Sequence, residues 1–115
     1  GDDNSDAAFS ITSAVDAPPG STLRTELVGA APNPFNPQTT IRFDLAQRER
    51  VELVVYDISG RRVRTLLGGD TLNAGQHREV WNGTDDRGAQ VASGIYLVRM
   101  TAGDYVARKS VVLVK

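Results

Sequence analysis

Cysteine is absent from this chain of 115 residues, histidine occurs once, and aromatic residues make up only 6%. Without cysteine, the fold has no disulfide bond and no thiolate metal site. The single His77 has no second histidine at ligand spacing, and no glycine-rich loop precedes a helix to hold a phosphate. No apolar run approaches the about 20 residues of a membrane-spanning helix, and no signal peptide opens the sequence. We expect no metal, no cofactor and no transmembrane segment.

Catalytic groups are scarce as well. Nucleophilic catalysis requires a nucleophile, a base and an orienting group within reach of one another, and His77 is the only imidazole. A lone histidine next to Arg78 and Glu79 in a strand is more typical of a surface or half-buried structural residue. Asp85 and Asp86 are adjacent, so we expect their carboxylates to point apart and to bind loop amides instead of forming an acid–base pair. The sequence therefore predicts a module without enzymatic activity.

The net charge of −1 is unevenly distributed along the chain. Residues 1–30 carry five acidic side chains and one basic side chain, whereas residues 31–115 carry nine acidic and twelve basic ones, which gives −4 and +3. A positive surplus of this size is ordinary for a folded domain, so no nucleic-acid partner is indicated.

Residues 1–22 are rich in Asp, Ser, Ala, Gly and Pro, a composition that buries too little apolar surface to fold. We predict a flexible linker from an absent upstream domain, and the first residue, Gly1, suggests a fragment of a longer protein. A short strand over residues 9–15 is the alternative for part of this segment. Residues 2–6 offer oxygen ligands but lack the glycine and the final glutamate of a calcium-binding loop.

Three prolines follow within six residues, at positions 32, 34 and 37. Proline fixes φ and has no backbone donor, and it favours extended geometry in the residue before it. We predict a stiff extended segment that leads into the folded module, with Phe35 as its apolar anchor.

Alternating apolar residues and glycine-containing turns predict strands along the rest of the chain. The predicted strands cover residues 23–29, 39–45, 51–58, 62–67, 76–81, 95–101 and 105–114. The run 51–58 is apolar on both faces and is predicted to lie near the middle of a sheet. Asp57 and Gly60 bound a predicted turn, residues 68–70 a break, and Asn82–Gly83 another turn. The predicted fold is an Ig-like antiparallel β-sandwich of about seven short strands.

A carbohydrate-binding surface would need exposed aromatic platforms. Trp81 lies in an alternating strand just before a tight turn, where it is predicted to fill the core rather than to face a sugar. The remaining candidates are Tyr56, Tyr96 and Tyr105. The arginines at positions 61, 62 and 64 could meet an anionic glycan or a lipid headgroup, although a charged, solvated strand edge is the commoner explanation.

Taken in order, the turns and strand ends over about residues 23–115 resemble the type A C-terminal sorting domain of the bacterial type IX secretion system. The residues that carry the resemblance are Pro34, Phe35, Asn36, Pro37, Tyr56, Asp57, Gly60, Arg61, Trp81, Gly83, Gly94 and Tyr96. Asn82 stands where aspartate is commoner in that family. A looser relative, the Ig-like domain of the flagellar hook-capping protein, resembles the middle and end of the chain.

The resemblance implies a non-catalytic module at the end of a larger secreted protein, such as a polysaccharide hydrolase or a protease, on or outside the surface of a Gram-negative-type bacterium. Its implied partners are the outer-membrane secretion machinery, lipopolysaccharide or another envelope component, and the upstream domain. Recognition is expected at Lys109, Val111, Val112, Leu113, Val114 and Lys115, where an edge strand and a terminus could be gripped. The alternatives are a carbohydrate-binding module of a glycoside hydrolase and a structural Ig-like spacer.

Overall fold

The computed structural model describes residues 23–115, which form seven β-strands and the turns and loops between them. They are β1 Glu26–Ala31, β2 Thr39–Leu45, β3 Glu49–Asp57, β4 Arg62–Leu72, β5 Gly75–Trp81, β6 Gly94–Ala102 and β7 Tyr105–Leu113. The predicted linker, the alternative strand over residues 9–15 and the acidic residues 2–6 lie outside the described residues.

The strands form two antiparallel sheets, one with the order β1-β2-β5 and the other with the order β4-β3-β6-β7. This arrangement confirms the predicted all-β, Ig-like sandwich. Strand β3 has neighbours on both sides. Its residues Leu53, Val54 and Val55 are all buried, as expected for a strand that is apolar on both faces.

The core lies between the sheets because alternate side chains of each strand point to opposite faces. In β2, for example, Ile41, Phe43 and Leu45 are buried, while Arg42 between them is exposed. Equivalent inward rows come from β3, β6 and β7. The fully buried large side chains are Trp81, Phe35, Phe43, Leu27, Ile41, Leu45, Leu53, Met100, Val51, Val55, Val98 and Val111.

Two strands differ from their predicted bounds by three residues or more at one end. Strand β1 begins at Glu26 rather than at residue 23. Strand β4 continues through the predicted break at residues 68–70 and ends at Leu72. The pairing shifts there, since Val51 opposes Asp70 while Glu52 opposes Gly68, which leaves Gly69 as an extra residue in a bulge. Gly69 has φ +105°, and a Cβ at this position would lie 2.7 Å from Arg50 Nε. The glycines therefore make a bulge instead of ending the strand.

The predicted turns are held by hydrogen bonds between residues that are close in the sequence. Between β3 and β4, the Gly60 N–H donates to the Asp57 carbonyl at 3.0 Å. Between β5 and β6, the Asp85 carboxylate accepts hydrogen bonds from the N–H groups of Arg87 and Ala89 at 2.9 and 3.0 Å. This confirms that Asp85 satisfies loop amides.

An aromatic cluster joins the proline segment to the sandwich. The ring of Phe35 lies 5.3 Å from that of Trp81, and Trp81 makes an edge-to-face contact with Tyr96 at 5.2 Å. The indole N–H of Trp81 donates to the Thr84 carbonyl at 2.8 Å, so its one polar group is satisfied inside the core. Phe35 is only 2% exposed, which confirms it as the apolar anchor of the segment.

Replacing Phe35 by alanine should lower the free energy of unfolding by about 3–5 kcal/mol, because it empties a closely packed aromatic site. Urea denaturation followed by tryptophan fluorescence measures the change. The control is Ile58→Ala at a residue that is 77% exposed, for which a change under about 0.5 kcal/mol is expected. An unchanged midpoint for Phe35→Ala would show that the proline segment does not belong to the cooperative fold.

Candidate recognition site at the last strand

Strand β7 forms one edge of the four-stranded sheet and contains most of the residues predicted for recognition. Val111 and Leu113 point into the core and are at most 2% exposed. Val112 is half-buried. Lys109, Val114 and Lys115 are exposed. A partner of the folded domain can therefore contact only part of the predicted set through side chains.

The proline segment covers the outer edge of β7 near its end. The Phe35 N–H donates to the Val112 carbonyl at 2.8 Å, and the Val114 N–H donates to the Phe35 carbonyl at 3.0 Å. Together these bonds make a one-residue parallel bridge between Phe35 and Leu113. The segment thus acts as a very short additional strand.

The side chain of Asn33 extends the same pairing by imitating a peptide group. Its Oδ1 accepts a hydrogen bond from the Val112 N–H at 2.9 Å, and its Nδ2 donates to the Ser110 carbonyl at 3.2 Å. The edge beside residues 110–114 is therefore occupied, although the sequence predicted an edge that partners could grip. The hydrogen bonds from the proline segment do not extend along β7 to the outward-facing residues Val106 and Arg108.

The last residue is fixed by a loop on the other side. The Lys115 N–H donates to the Ser93 hydroxyl oxygen at 3.2 Å, just before β6 begins at Gly94. Gly83 lies under the same end of the chain, because a Cβ there would meet Leu113 Cδ2 at 3.4 Å. Residues from turns that are separate in the sequence thus meet around the end of β7.

A charged cavity of about 610 Å³ opens at the same end of the sandwich. Its wall includes the motif residues Asp57, Arg61 and Tyr96 and the loop residues Asp85 and Arg87. The Tyr96 hydroxyl donates its hydrogen bond to the Ala92 carbonyl at 2.6 Å, so it is not free to donate to a ligand in the cavity. The turns were predictable from the sequence but the cavity was not, because no pattern indicates that the two loops are neighbours.

The acidic groups of this cavity are largely used by the fold. The Asp57 carboxylate accepts hydrogen bonds from the Ser59 hydroxyl at 2.6 Å and from the Arg61 N–H at 3.0 Å. Asp86 accepts one from the Thr65 N–H at 2.8 Å. Asp85 and Asp86 therefore bind different amides, as predicted, and do not form a converging pair.

His77 has a structural environment. Its ring stacks on Phe43 with centroids 5.3 Å apart, and its Nε2 lies 2.7 Å from the Asn73 carbonyl oxygen, which makes Nε2–H the donor. Among residues 23–115, no three acidic or histidine side chains are grouped so that they could hold a metal ion. No helix in that range is long and apolar enough to cross a membrane.

Trp81 is fully buried, so it offers no platform for a sugar ring. Tyr96 is 7% exposed and packs against it. Tyr56 and Tyr105 are half-buried, and the Tyr105 hydroxyl accepts a hydrogen bond from the Leu27 N–H at 2.9 Å. The prediction that Trp81 belongs to the core is confirmed, which counts against a carbohydrate-binding strip built on it.

Replacing Asn33 by alanine should lower the free energy of unfolding by about 1 kcal/mol, because two edge hydrogen bonds are lost to water. Hydrogen exchange at the Val112 amide should become faster, since that N–H loses its acceptor. The matched control is Asn36→Ala, which alters an exposed asparagine of the same segment. Equal exchange at Val112 in both variants would contradict the role given to Asn33.

Because of Asp57, the free energy of unfolding should decrease at acid pH. Its pKa lies below the ordinary value of 3.8, first because of the Ser59 hydroxyl and then because of the Arg61 N–H. A lowered folded-state pKa means that the carboxylate stabilises the fold above 3.8, and that this contribution is lost as pH falls through the folded-state value.

Carboxyl ¹³C shifts of Asp57, recorded against pH, should show its midpoint below 3.8, and Ser59→Ala should move it back towards 3.8. Ser110→Ala, at an exposed serine on β7, should leave the midpoint unchanged. A midpoint in Ser59→Ala that equals the wild-type one would contradict the stated cause.

Comparison with known proteins places the fold in a family. The sequence model of the FlgD Ig-like domain matches residues 20–105, whereas the resemblance to this looser relative was predicted for the middle and end of the chain. The match includes the proline segment and stops before the last ten residues. No curated protein sequence matches the chain.

Two solved structures from Porphyromonas gingivalis have a similar fold. Dimeric latent PorU superposes with a TM-score of 0.61 at 22% identity, over 74% of this chain and 9% of PorU. PorZ, an essential surface component of the type IX secretion system, superposes with a TM-score of 0.53 at 19% identity, over 75% of this chain and 11% of PorZ. This chain thus corresponds to about a tenth of each protein. By the family match and the sandwich fold together, the chain belongs to the FlgD Ig-like domain family.

Proposed function

We propose that this module is a non-catalytic sorting domain that directs a longer secreted bacterial protein through the type IX secretion system and to the cell surface. The secretion machinery of the outer membrane and an envelope component such as lipopolysaccharide are its partners in this proposal. The upstream part of the polypeptide, a hydrolase or a protease, would supply the activity.

The observation that carries the proposal is the likeness of this fold to domains in PorU and PorZ, one of which is a surface component of that secretion system. The ordered motifs of the sequence support it independently. Asp57, Arg61 and Tyr96 line one cavity, and Phe35, Trp81 and Gly83 pack beneath the end of β7.

The shape of the last strand limits how it would be recognised. Lys109, Val114 and Lys115 are exposed, while the backbone beside them is held by Phe35 and Ser93. The receptor in this proposal would therefore bind a preorganised surface, so ordering that surface would cost little conformational entropy.

Export of a reporter tests the proposal. A fluorescent protein directed to the periplasm is fused ahead of the 115-residue chain in a host with a working type IX system. We expect the fusion to reach the surface, and the variant Lys109→Ala/Val114→Ala/Lys115→Ala to stay periplasmic. All three side chains are exposed, so the variant should fold, which circular dichroism and thermal melting can verify.

The matched control removes two cations and one exposed valine from the other sheet, as Arg42→Ala/Arg78→Ala/Val80→Ala. This control should be exported like the unaltered fusion. Export of the Lys109/Val114/Lys115 variant at the unaltered level would refute recognition at the end of β7, and failure of every fusion would refute the sorting function.

A structural Ig-like spacer is the second candidate. It is favoured by the family match, which describes residues 20–105 without the last ten. A spacer would tolerate both triple variants equally and would add no export to the reporter, so the same experiment separates the two functions.

A further inference from the structure

The outer face of the four-stranded sheet carries two arginines directly opposite each other. Arg99 of β6 pairs with Arg108 of β7 in the register of the sheet, and both side chains are exposed. The backbone groups of Val112 and Val114 point away from β6 towards Phe35, so the even-numbered residues of β7 are the ones without hydrogen bonds to β6. Arg99 and Arg108 therefore form a non-hydrogen-bonded pair, the arrangement in which opposite side chains lie closest.

Like charges at such positions destabilise a sheet unless something neutralises them. The flanking pairs, Leu97 with Ser110 and Thr101 with Val106, contain no carboxylate. On β3, Glu52 lies opposite Thr101 and two residues from Val54, which lies opposite Arg99. Glu52 is therefore one diagonal step from Arg99 in the sheet. Within residues 23–115, the single ion pair shorter than 4.0 Å joins Arg61 to Asp57, so neither arginine of this pair has a carboxylate partner there.

The three-stranded sheet offers a direct comparison. Arg42 of β2 opposes Arg78 of β5 in the same way, but the next outward pair in the register is Asp44 with Gln76. Asp44 is thus one diagonal step from Arg78, as Glu52 is from Arg99. Within residues 23–115 neither arginine pair forms an ion pair, so each leaves two guanidinium groups available to an anion from outside.

A concave surface lies beside this pair. A cavity of about 330 Å³ is lined by Tyr56, Gly60, Leu97, Arg99, Val106 and Arg108. Its floor is apolar, since Leu97 and Tyr56 are half-buried and Val106 is 50% exposed. Binding sites for small molecules combine such apolar walls with a few polar groups that fix the orientation of the ligand.

We propose that this cavity binds a phosphate monoester carried on a sugar ring. A phosphate monoester carries close to two negative charges at neutral pH, which matches two guanidinium groups. Each guanidinium can donate two parallel hydrogen bonds to phosphate oxygens. The aliphatic and aromatic floor is suited to the C–H face of the attached ring, and its concavity accommodates one ring rather than a flat lipid surface. The proposal does not depend on the sorting function.

Titration of the ¹⁵N-labelled 115-residue chain with glucose 6-phosphate tests it by NMR. We expect saturable shifts at the amides of Leu97, Arg99, Val106 and Arg108. Arg99→Gln and Arg108→Gln should each weaken binding by at least about tenfold, as expected for the loss of charge-assisted hydrogen bonds. Arg78→Gln, at the equivalent pair of the other sheet, should leave the affinity unchanged.

Thermal melting shows that the variants are folded, and Arg99→Gln should melt no lower than the unaltered protein because a like-charge contact is removed. Three results would overturn the proposal. Inorganic phosphate or glucose could bind as tightly as glucose 6-phosphate, Arg78→Gln could weaken binding as much as Arg99→Gln, or no saturable shift could occur at these amides.

Discussion

Burial of Trp81 is the constraint on which the rest of the sandwich depends. A tryptophan can be fully buried only if its N–H is bonded and its large ring is surrounded by closely fitting neighbours. The Thr84 carbonyl satisfies the N–H, while Phe35 and Tyr96 cover the ring. These contacts hold together the proline segment, the end of β5 and the start of β6, which are far apart in the sequence and belong to different sheets or loops.

The second requirement of the fold is to close the edges of the four-stranded sheet, which would otherwise invite pairing with other chains. Each edge is closed over part of its length by a loop residue that imitates a peptide group. Asn33 does so on β7 with its side-chain amide. On β4, the Asp86 N–H donates to the Val63 carbonyl at 3.0 Å and its carboxylate accepts from the Thr65 N–H at 2.8 Å. Polar loops therefore stabilise sheet edges here as well as connecting strands.

Period-two patterns made the strands and the buried rows of this fold predictable, and the hydrogen-bonding preferences of Asp and Gly made its turns predictable. The bulge at Gly69 was missed because a glycine pair reads as a break unless the partner strand is known. The arginine pair was missed for the same reason, since Arg99 and Arg108 become neighbours only through the register of β6 and β7. The hydrogen bonding of the Asn33 side chain to β7 depends on a contact between residues that are 79 positions apart, which no local pattern encodes.

The alternation of a strand also limits what a partner can read from the end of this chain. In the folded domain Val111 and Leu113 face the core, so only part of the apolar run, Val112 and Val114, reaches the surface. A receptor that recognised all six residues from 109 to 115 that the resemblance implies would have to pull β7 from the sheet and expose the site of Phe35. The packing of Phe35 against Trp81 opposes that step, so any partner of the folded domain would contact the end of β7 in its packed form.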